Sequence, residues 1–321
     1  MATIWSLMES VREARTLWRT AVDQVNGRLK NSAIDDAAAE RARAAIQALD
    51  LLPWDGAIKG FKAGGTISDL ADWFTTDWLR TDHEEQMLEL LASDLGLSDG
   101  STSCIQNTYF VKALAEACSD PEKYRTARKF GWLRRLGASF ATKDRTRLGT
   151  IANKNESHWV TLTIDCDKKA VGYGDGFRAK PSSTLREHVN WWLSEHLGMD
   201  FKWSDIPVAT QKDPHSCGIL GYFDLAHWFD PERFPLPQST AASMADERIK
   251  IFLRIVERHQ KKAGDFASDA RDYEFTFAHS LGFGKETTES DDGESEKADT
   301  EDSPSGSEYS AQDDDSDSVS D

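Results

Sequence analysis

Val160, Leu162 and Ile164 alternate with Thr161, Thr163 and Asp165. That period of two predicts a half-buried β-strand. The polar run Asp167-Lys168-Lys169 predicts a turn, and Ala170–Phe177 (AVGYGDGF) the return strand, with Val171, Tyr173 and Asp175 on one face. Elsewhere the spacing is helical. Residues 1 to about 50 are rich in Ala, Arg, Glu and Leu, strong helix formers, and Pro53 ends the run. Residues 54–67 are Gly-rich and predict a loop. Residues 68–97 read as mostly helical, with Ser68 as N-cap and Met87, Leu88, Leu90, Leu91 and Leu95 at helical spacing. Between Ser101 and Gly149 the pattern is mixed: residues 104–114 fit a strand or a helix start, and the basic stretch 123–136 a helix. Residues 183–198 predict an amphipathic helix, 202–209 a short strand, 217–229 an apolar helix and 244–262 a last amphipathic helix. Helices, an antiparallel hairpin, a helix, a strand and more helices make an α+β layout. The expected organisation is a helical N-terminal extension over residues 1–65, a folded body over 66–282 and a disordered acidic tail over 283–321.

Charge sharpens that division. The 321 residues carry a net charge of −17. Lys285–Asp321 holds 15 Asp/Glu and 2 Lys, a balance of −13, which leaves −4 for the other 284 residues. The body is therefore close to neutral, and the tail is too acidic and too poor in apolar residues to fold. No basic stripe suits a nucleic acid. The N-terminus lacks the apolar stretch of a signal peptide, and no run is long enough for a membrane span. Four cysteines, Cys104, Cys118, Cys166 and Cys217, form no CxxC pair. The expectation is free thiols in a reducing compartment, nucleus or cytoplasm, with neither a metal nor a cofactor.

Cys217 begins the apolar helix that follows a polar turn. Free N–H groups and the helix dipole favour a thiolate there, with Ser216 as the expected N-cap. A lone cysteine is ordinarily a buried small hydrophobe, so the case rests on partners. A nucleophilic thiol needs a base, a group that orients the base, and an oxyanion donor. His158, at the start of the first hairpin strand, is the candidate base. Asp175, at the end of the second, is the candidate orienter. Gln211, six residues before Cys217, is the candidate oxyanion donor. Cys166 lies between Asp165 and Asp167, whose charge raises a thiol pKa, so it is a poor nucleophile. Cys104 and Cys118 read as structural. His83, His188, His196, His227 and His259 read as surface or helix-face residues.

The set His158-Trp159, Asp175 in GYGDGF seventeen residues on, and Gln211 in QKDPHSCG resembles the ubiquitin-like-protein proteases, the SUMO/NEDD8-specific cysteine proteases of the papain-like superfamily. The family marks its site with His-Trp, an Asp before a small residue, and Gln-x-x-x-x-x-Cys-Gly. The segment Thr75–Leu91, with Trp78-Leu79, is similar to the one that opens the family's catalytic domain. The likeness runs from about Leu70 to Gln260. It implies a papain-like fold of the SUMO-protease type, with a central mixed or antiparallel sheet flanked by helices. It also implies a monomer that cleaves after the C-terminal Gly-Gly of a modifier such as SUMO or NEDD8. Cys217 would be the nucleophile, His158 the base, Asp175 the orienter and Gln211 the oxyanion donor. Trp78 and Trp159 would wall a tunnel that admits only Gly-Gly. The chain departs from the pattern at Ser216, where the family has Asp, at Asp213-Pro214, where it has Asn-Gly, and at Arg80-Thr81-Asp82 after Trp78-Leu79. Two other readings stand beside this one: an inactive protease-like scaffold from a mobile-element gene, and an acetyltransferase on the same fold.

Overall fold

A computed structural model describes residues 2–30, 34–53 and 56–280. The acidic tail lies outside the described residues. Residues 1–270 and 271–321 form two units; of the second, only residues 271–280 are described, and they are helical.

Helices α1 (Ala2–Leu29) and α2 (Asp36–Asp50) come first. A 3-10 helix, Ile67–Phe74, and α3 (Thr81–Asp94) follow. The helix expected over residues 68–97 is thus broken by a loop at residues 75–80. The cap of its first piece is Thr66 rather than Ser68, because Asp69 returns a hydrogen bond to the Thr66 N–H. Residues 104–114 hold both alternatives, strand β1 (Ser103–Ile105) and then helix α4 (Phe110–Ser119). The basic stretch forms α5 (Pro121–Thr126) and α6 (Gly131–Ala141).

Strand β2 (Arg147–Lys154) pairs antiparallel with β3 (His158–Asp165), which pairs antiparallel with β4 (Ala170–Gly174). Helix α7 (Ser183–Leu197), capped by Ser182, leads to β5 (Lys202–Asp205). β1 and β5 add in parallel at the two edges, which gives a mixed sheet in the order β1-β2-β3-β4-β5. Helices α8 (Cys217–Phe229) and α9 (Ala241–Ser280) complete the described chain. β2 is the element that the sequence pattern did not announce.

The sheet is covered on both faces. Leu148, Leu162, Ile164 and Val171 share a core with Phe110 of α4, Phe140 of α6 and Trp192 of α7. The opposite face receives α8. There the threonines of the alternating strand are also buried: Thr161 and Thr163 are at most 1% exposed, and the Thr161 hydroxyl donates to the Gly221 carbonyl (3.1 Å). The strand expected to be half-buried is therefore fully buried. Threonine serves as well as an apolar residue when a helix supplies an acceptor. Gly149 permits the close approach, since a Cβ there would lie 2.4 Å from Leu225.

The N-terminal helices are built into this side of the molecule. Trp18, Ala21 and Val25 of α1 and Ala42, Ala45 and Leu49 of α2 join one core with Leu70, Trp73, Phe74, Phe252 and Ile255. Arg41 of α2 and Asp246 of α9 form a two-pronged ion pair at 2.8 Å.

Candidate active site

The antiparallel register of β3 and β4 fixes the first two groups. Thr161 faces Gly174, so His158 and Asp175 stand just beyond the last pair on neighbouring strands. Their side chains meet: the imidazole Nε2 lies 2.9 Å from Asp175 Oδ1. A tight turn then closes, with Arg178 N–H donating to the Asp175 carbonyl (2.7 Å) and the Phe177 N–H to Asp175 Oδ1 (2.9 Å). Asp175 is 4% exposed. Burial raises its pKa, but the hydrogen bonds from His158 and Phe177 and the nearby Lys154 ammonium outweigh that and hold the carboxyl below its ordinary range.

The sheet packing brings in the third group. Cys217 opens α8, which crosses β2 and β3, and its sulfur lies near enough to His158 to act on the charge of the ring. Nε2 is taken by Asp175, so Nδ1 is the nitrogen left to face the sulfur. Burial lowers the imidazole pKa, yet the hydrogen bonds and negative charge of Asp175 and Cys217 reverse that and raise it to about 9. The ring is thereby held as imidazolium across neutral pH. Phe177, 53% exposed, stacks on it at 5.0 Å and 25°. The sequence offered no sign of this role beyond an aromatic residue two places after Asp175.

Gln211 is drawn to the same place through Gly176. Its N–H donates to the Gly176 carbonyl (2.9 Å), and a Cβ on Gly176 would sit 2.9 Å from that of Gln211. This is the physical reason for a small residue after Asp175. The Gln211 carboxamide is buried. Its Nε2 donates to the Asp213 carbonyl (2.6 Å), which leaves one N–H free, and its Oε1 has no partner. Asp213 organises the turn into α8, accepting from the backbone N–H groups of His215 and Ser216 and from the Ser216 hydroxyl. Ser216 occupies the N-cap position of α8 but makes no side-chain cap; its hydroxyl is spent on Asp213 instead. Asp213 in the turn does the organising work expected of the residue before the cysteine.

The two indoles differ. Trp159 is 6% exposed, and its Nε1 donates to the Leu79 carbonyl (3.1 Å). Trp78, one residue earlier in that loop, is 46% exposed. The buried indole ties down the segment that presents the exposed one.

Two features went unread in the sequence. Glu84 of α3 is fully buried, with neither carboxylate oxygen hydrogen-bonded. Its Oε1 lies so close to Gly218 that a Cβ there would be 1.8 Å away. Burial and the neighbouring Cys217 charge push this carboxyl well above the usual range, against the opposing Arg248. The available signal was its position, three, four and seven residues before Met87, Leu88 and Leu91 on one helical face. His83 and His259, expected at helix surfaces, are buried at 2% and 6%. Each anchors a backbone N–H, of Arg80 and Lys59 respectively, and burial brings the His83 pKa down to about 4. Cys166 behaves as its neighbours dictate: burial first, then Asp165 and Asp167, raise its pKa to about 12. No group of metal-ligating side chains occurs among the described residues, and no described helix is long and apolar enough to cross a membrane.

A thiol, an imidazole and a carboxylate thus gather at the joint between a helix start and a strand pair. The chain has the fold of the ubiquitin-like-protein proteases, as the motifs implied. The SUMO protease Ulp1 with its catalytic cysteine oxidised to a sulfenic acid matches over 70% of this chain and 95% of its own, at 18% identity and a TM-score of 0.52. The C-terminal protease domain of Ulp1 in complex with Smt3, the yeast ortholog of SUMO, matches equally well, with 96% of its chain covered. The Ulp1-like SUMO protease catalytic domain of Chaetomium thermophilum matches 70% of this chain and 90% of its own, at 16% identity and a TM-score of 0.50. By sequence, ubiquitin-like-specific protease 1 of Saccharomyces cerevisiae is 27% identical over 120 residues, 35% of this chain. The match spans about a fifth of that relative's length, 18%. No family model matches the chain.

Proposed function

We propose that this chain is a cysteine protease that cleaves after the C-terminal Gly-Gly of a ubiquitin-like modifier of the SUMO class. The observation that carries the reading is the imidazole between two groups: His158 meets Asp175 at 2.9 Å, and the Cys217 sulfur at the start of α8 is near enough to act on the same ring. An imidazolium beside a thiol is the pairing that activates it as a nucleophile. The thiolate attacks the terminal glycine carbonyl, and the C=O electron pair moves onto oxygen. In this reading the free Gln211 N–H and the Cys217 backbone N–H at the start of α8 donate to that oxyanion. As the tetrahedral adduct collapses, the C–N bond breaks and His158 gives its Nδ1 proton to the departing amine. Neutral His158 then takes a proton from water, whose oxygen attacks the thioester and frees Cys217. Asp175 holds the imidazole in one tautomer throughout.

Selectivity for glycine follows from the indoles. On this reading Trp78 and Trp159 wall the approach to Cys217, since a gap between two aromatic planes excludes any residue with a side chain. The inactive-scaffold alternative expects a damaged site, whereas thiol, base, orienter and amide are all present here.

The test is a panel of SUMO, NEDD8 and ubiquitin carrying a C-terminal electrophile. A covalent adduct with SUMO, lost in Cys217→Ala, is the expected result. No adduct with any of the three would overturn the reading, and an adduct that survives Cys217→Ala would overturn the choice of nucleophile.

A further inference from the structure

The loop at residues 75–80, which presents Trp78, has no regular structure of its own. An exposed loop of that kind is expected to be loose, because its carbonyls can pair with water. Here they are tied instead, by side chains from distant parts of the chain. Arg248 of α9, 2% exposed, donates through Nη1 to the carbonyls of Asp72 (3.2 Å) and Thr75, and through Nη2 to that of Asp77. Arg28, in the last turn of α1, donates to the carbonyl of Phe74. Trp159 takes the Leu79 carbonyl. Arg80 pairs with Asp69 (2.5 Å) and Asp72 (3.0 Å) of the preceding 3-10 helix, and Thr75 and Asp77 exchange hydrogen bonds within the loop.

Two guanidinium groups converge on four backbone carbonyls, those of Asp72, Phe74, Thr75 and Asp77. Burial lowers the pKa of both, and the Arg28 charge lowers that of Arg248 further, against the pull of Asp77, Glu84 and Asp213. Arg28 Nη1 and Arg248 Nε are buried without a partner. Bringing two cations together out of water is costly. A scaffold needing only a stable core would fill this space with apolar side chains. What the arrangement does provide is rigidity: charge-assisted hydrogen bonds fix carbonyls that neither a helix nor a sheet holds.

We infer that α1 is part of the substrate-gripping apparatus, with Arg28 and Arg248 acting as a two-armed clamp that positions the Trp78 loop against Trp159. The N-terminal helices are then no detachable extension but one arm of the channel. Arg28 and Arg248 are positioning residues, since neither faces the Cys217 thiol. The inference rests on the proposed function for the use of the loop, but not for the loop's restraint.

The experiment uses the full chain and the variants Arg28→Met, which keeps the apolar stem, and Arg28→Lys, which keeps the charge and one donor. Amide hydrogen exchange resolved to peptides should show protection over residues 74–80 falling about tenfold in Arg28→Met, the effect of one lost charge-assisted hydrogen bond. Protection in α7, on the far face of the sheet, should not change. With a SUMO-class substrate, KM should rise about three- to tenfold with kcat nearly constant, because binding is lost and chemistry is not. Alkylation of Cys217 by iodoacetamide, read on its own peptide, should keep the parent rate. Arg28→Lys should recover part of both effects. Unchanged exchange over 74–80 would overturn the clamp. So would a loss of protection spread evenly over α7 and the loop, or a fall in kcat and in alkylation as large as the change in KM. Should the parent chain turn over no modifier, the proposed function fails, while the exchange result still decides whether the clamp exists.

Discussion

The His158–Asp175 pair and the Trp78 loop are built by opposite means. On the His158–Asp175 side, side chains are placed by a strand register that backbone hydrogen bonds define residue by residue. On the Trp78 side, a loop without regular structure is placed by arginines from both ends of the described fold, Arg28 and Arg248, about 220 residues apart in sequence. The first side demands accuracy at one atom, since proton transfer fails when a base moves by an ångström. The second needs only a wall in the right place, for which a braced loop suffices. Register gives precision that survives the loss of a single contact elsewhere. A clamp gives position that depends on each arm.

Substitutions can separate the two constructions. The largest effect is expected at the register-built side. His158→Ala should lower turnover by about 10⁴-fold, the upper range for a lost acid–base group, with KM little changed. The same variant should alter the pH dependence of stability. The His158 pKa is raised from 6.5 to about 9 in the folded chain, so the native state holds the proton more tightly than the unfolded one. That stabilisation is complete below about pH 6.5 and disappears as pH rises through about 9. Urea midpoints of the parent should fall across this window, and those of His158→Ala should fall less. Next in size, Gln211→Ala should cost about 10²–10³ in kcat, as single oxyanion donors do. An unchanged kcat would remove Gln211 from the site. Smaller, and opposite in sign, is Glu84→Met. It replaces a fully buried carboxyl without partners, and should stabilise the fold by about 1–3 kcal/mol in thermal or urea unfolding. A carboxyl whose pKa is raised by folding loses stability as pH climbs above the unfolded value, so the gain should be larger at pH 7 than at about pH 4. A destabilised Glu84→Met would mean that the acid makes a hydrogen bond it is not seen to make.

Much of the register-built side was legible in the chain. Alternation marked β3, the polar run marked its turn, and the spacing of His158, Asp175, Gln211 and Cys217 followed from local geometry: two strand ends, a turn and a helix start. The α+β class followed from the order of the same elements, and the mixed sheet from the resemblance. Some local readings failed where tertiary contacts replaced local ones. Thr161 looked like a solvent-facing position because threonine is polar, yet α8 supplies its acceptor. Ser216 looked like a helix cap, yet Asp213 competes for its hydroxyl. His83 looked like a surface residue, yet its ring ties together two backbone segments.

The sequence alone determined which residues could do chemistry and in what order, because strand pairing and helix initiation are short-range and leave periodic traces. Only the tertiary structure decided how the Trp78 loop is held. It also placed Glu84 under the start of α8 and drew α1 into the same core as the 3-10 helix and α9. An arginine that reaches a carbonyl 46 or 173 residues away leaves no period in the chain, since its partner is backbone and carries no residue identity. A contact of that kind exists only once the chain has closed on itself.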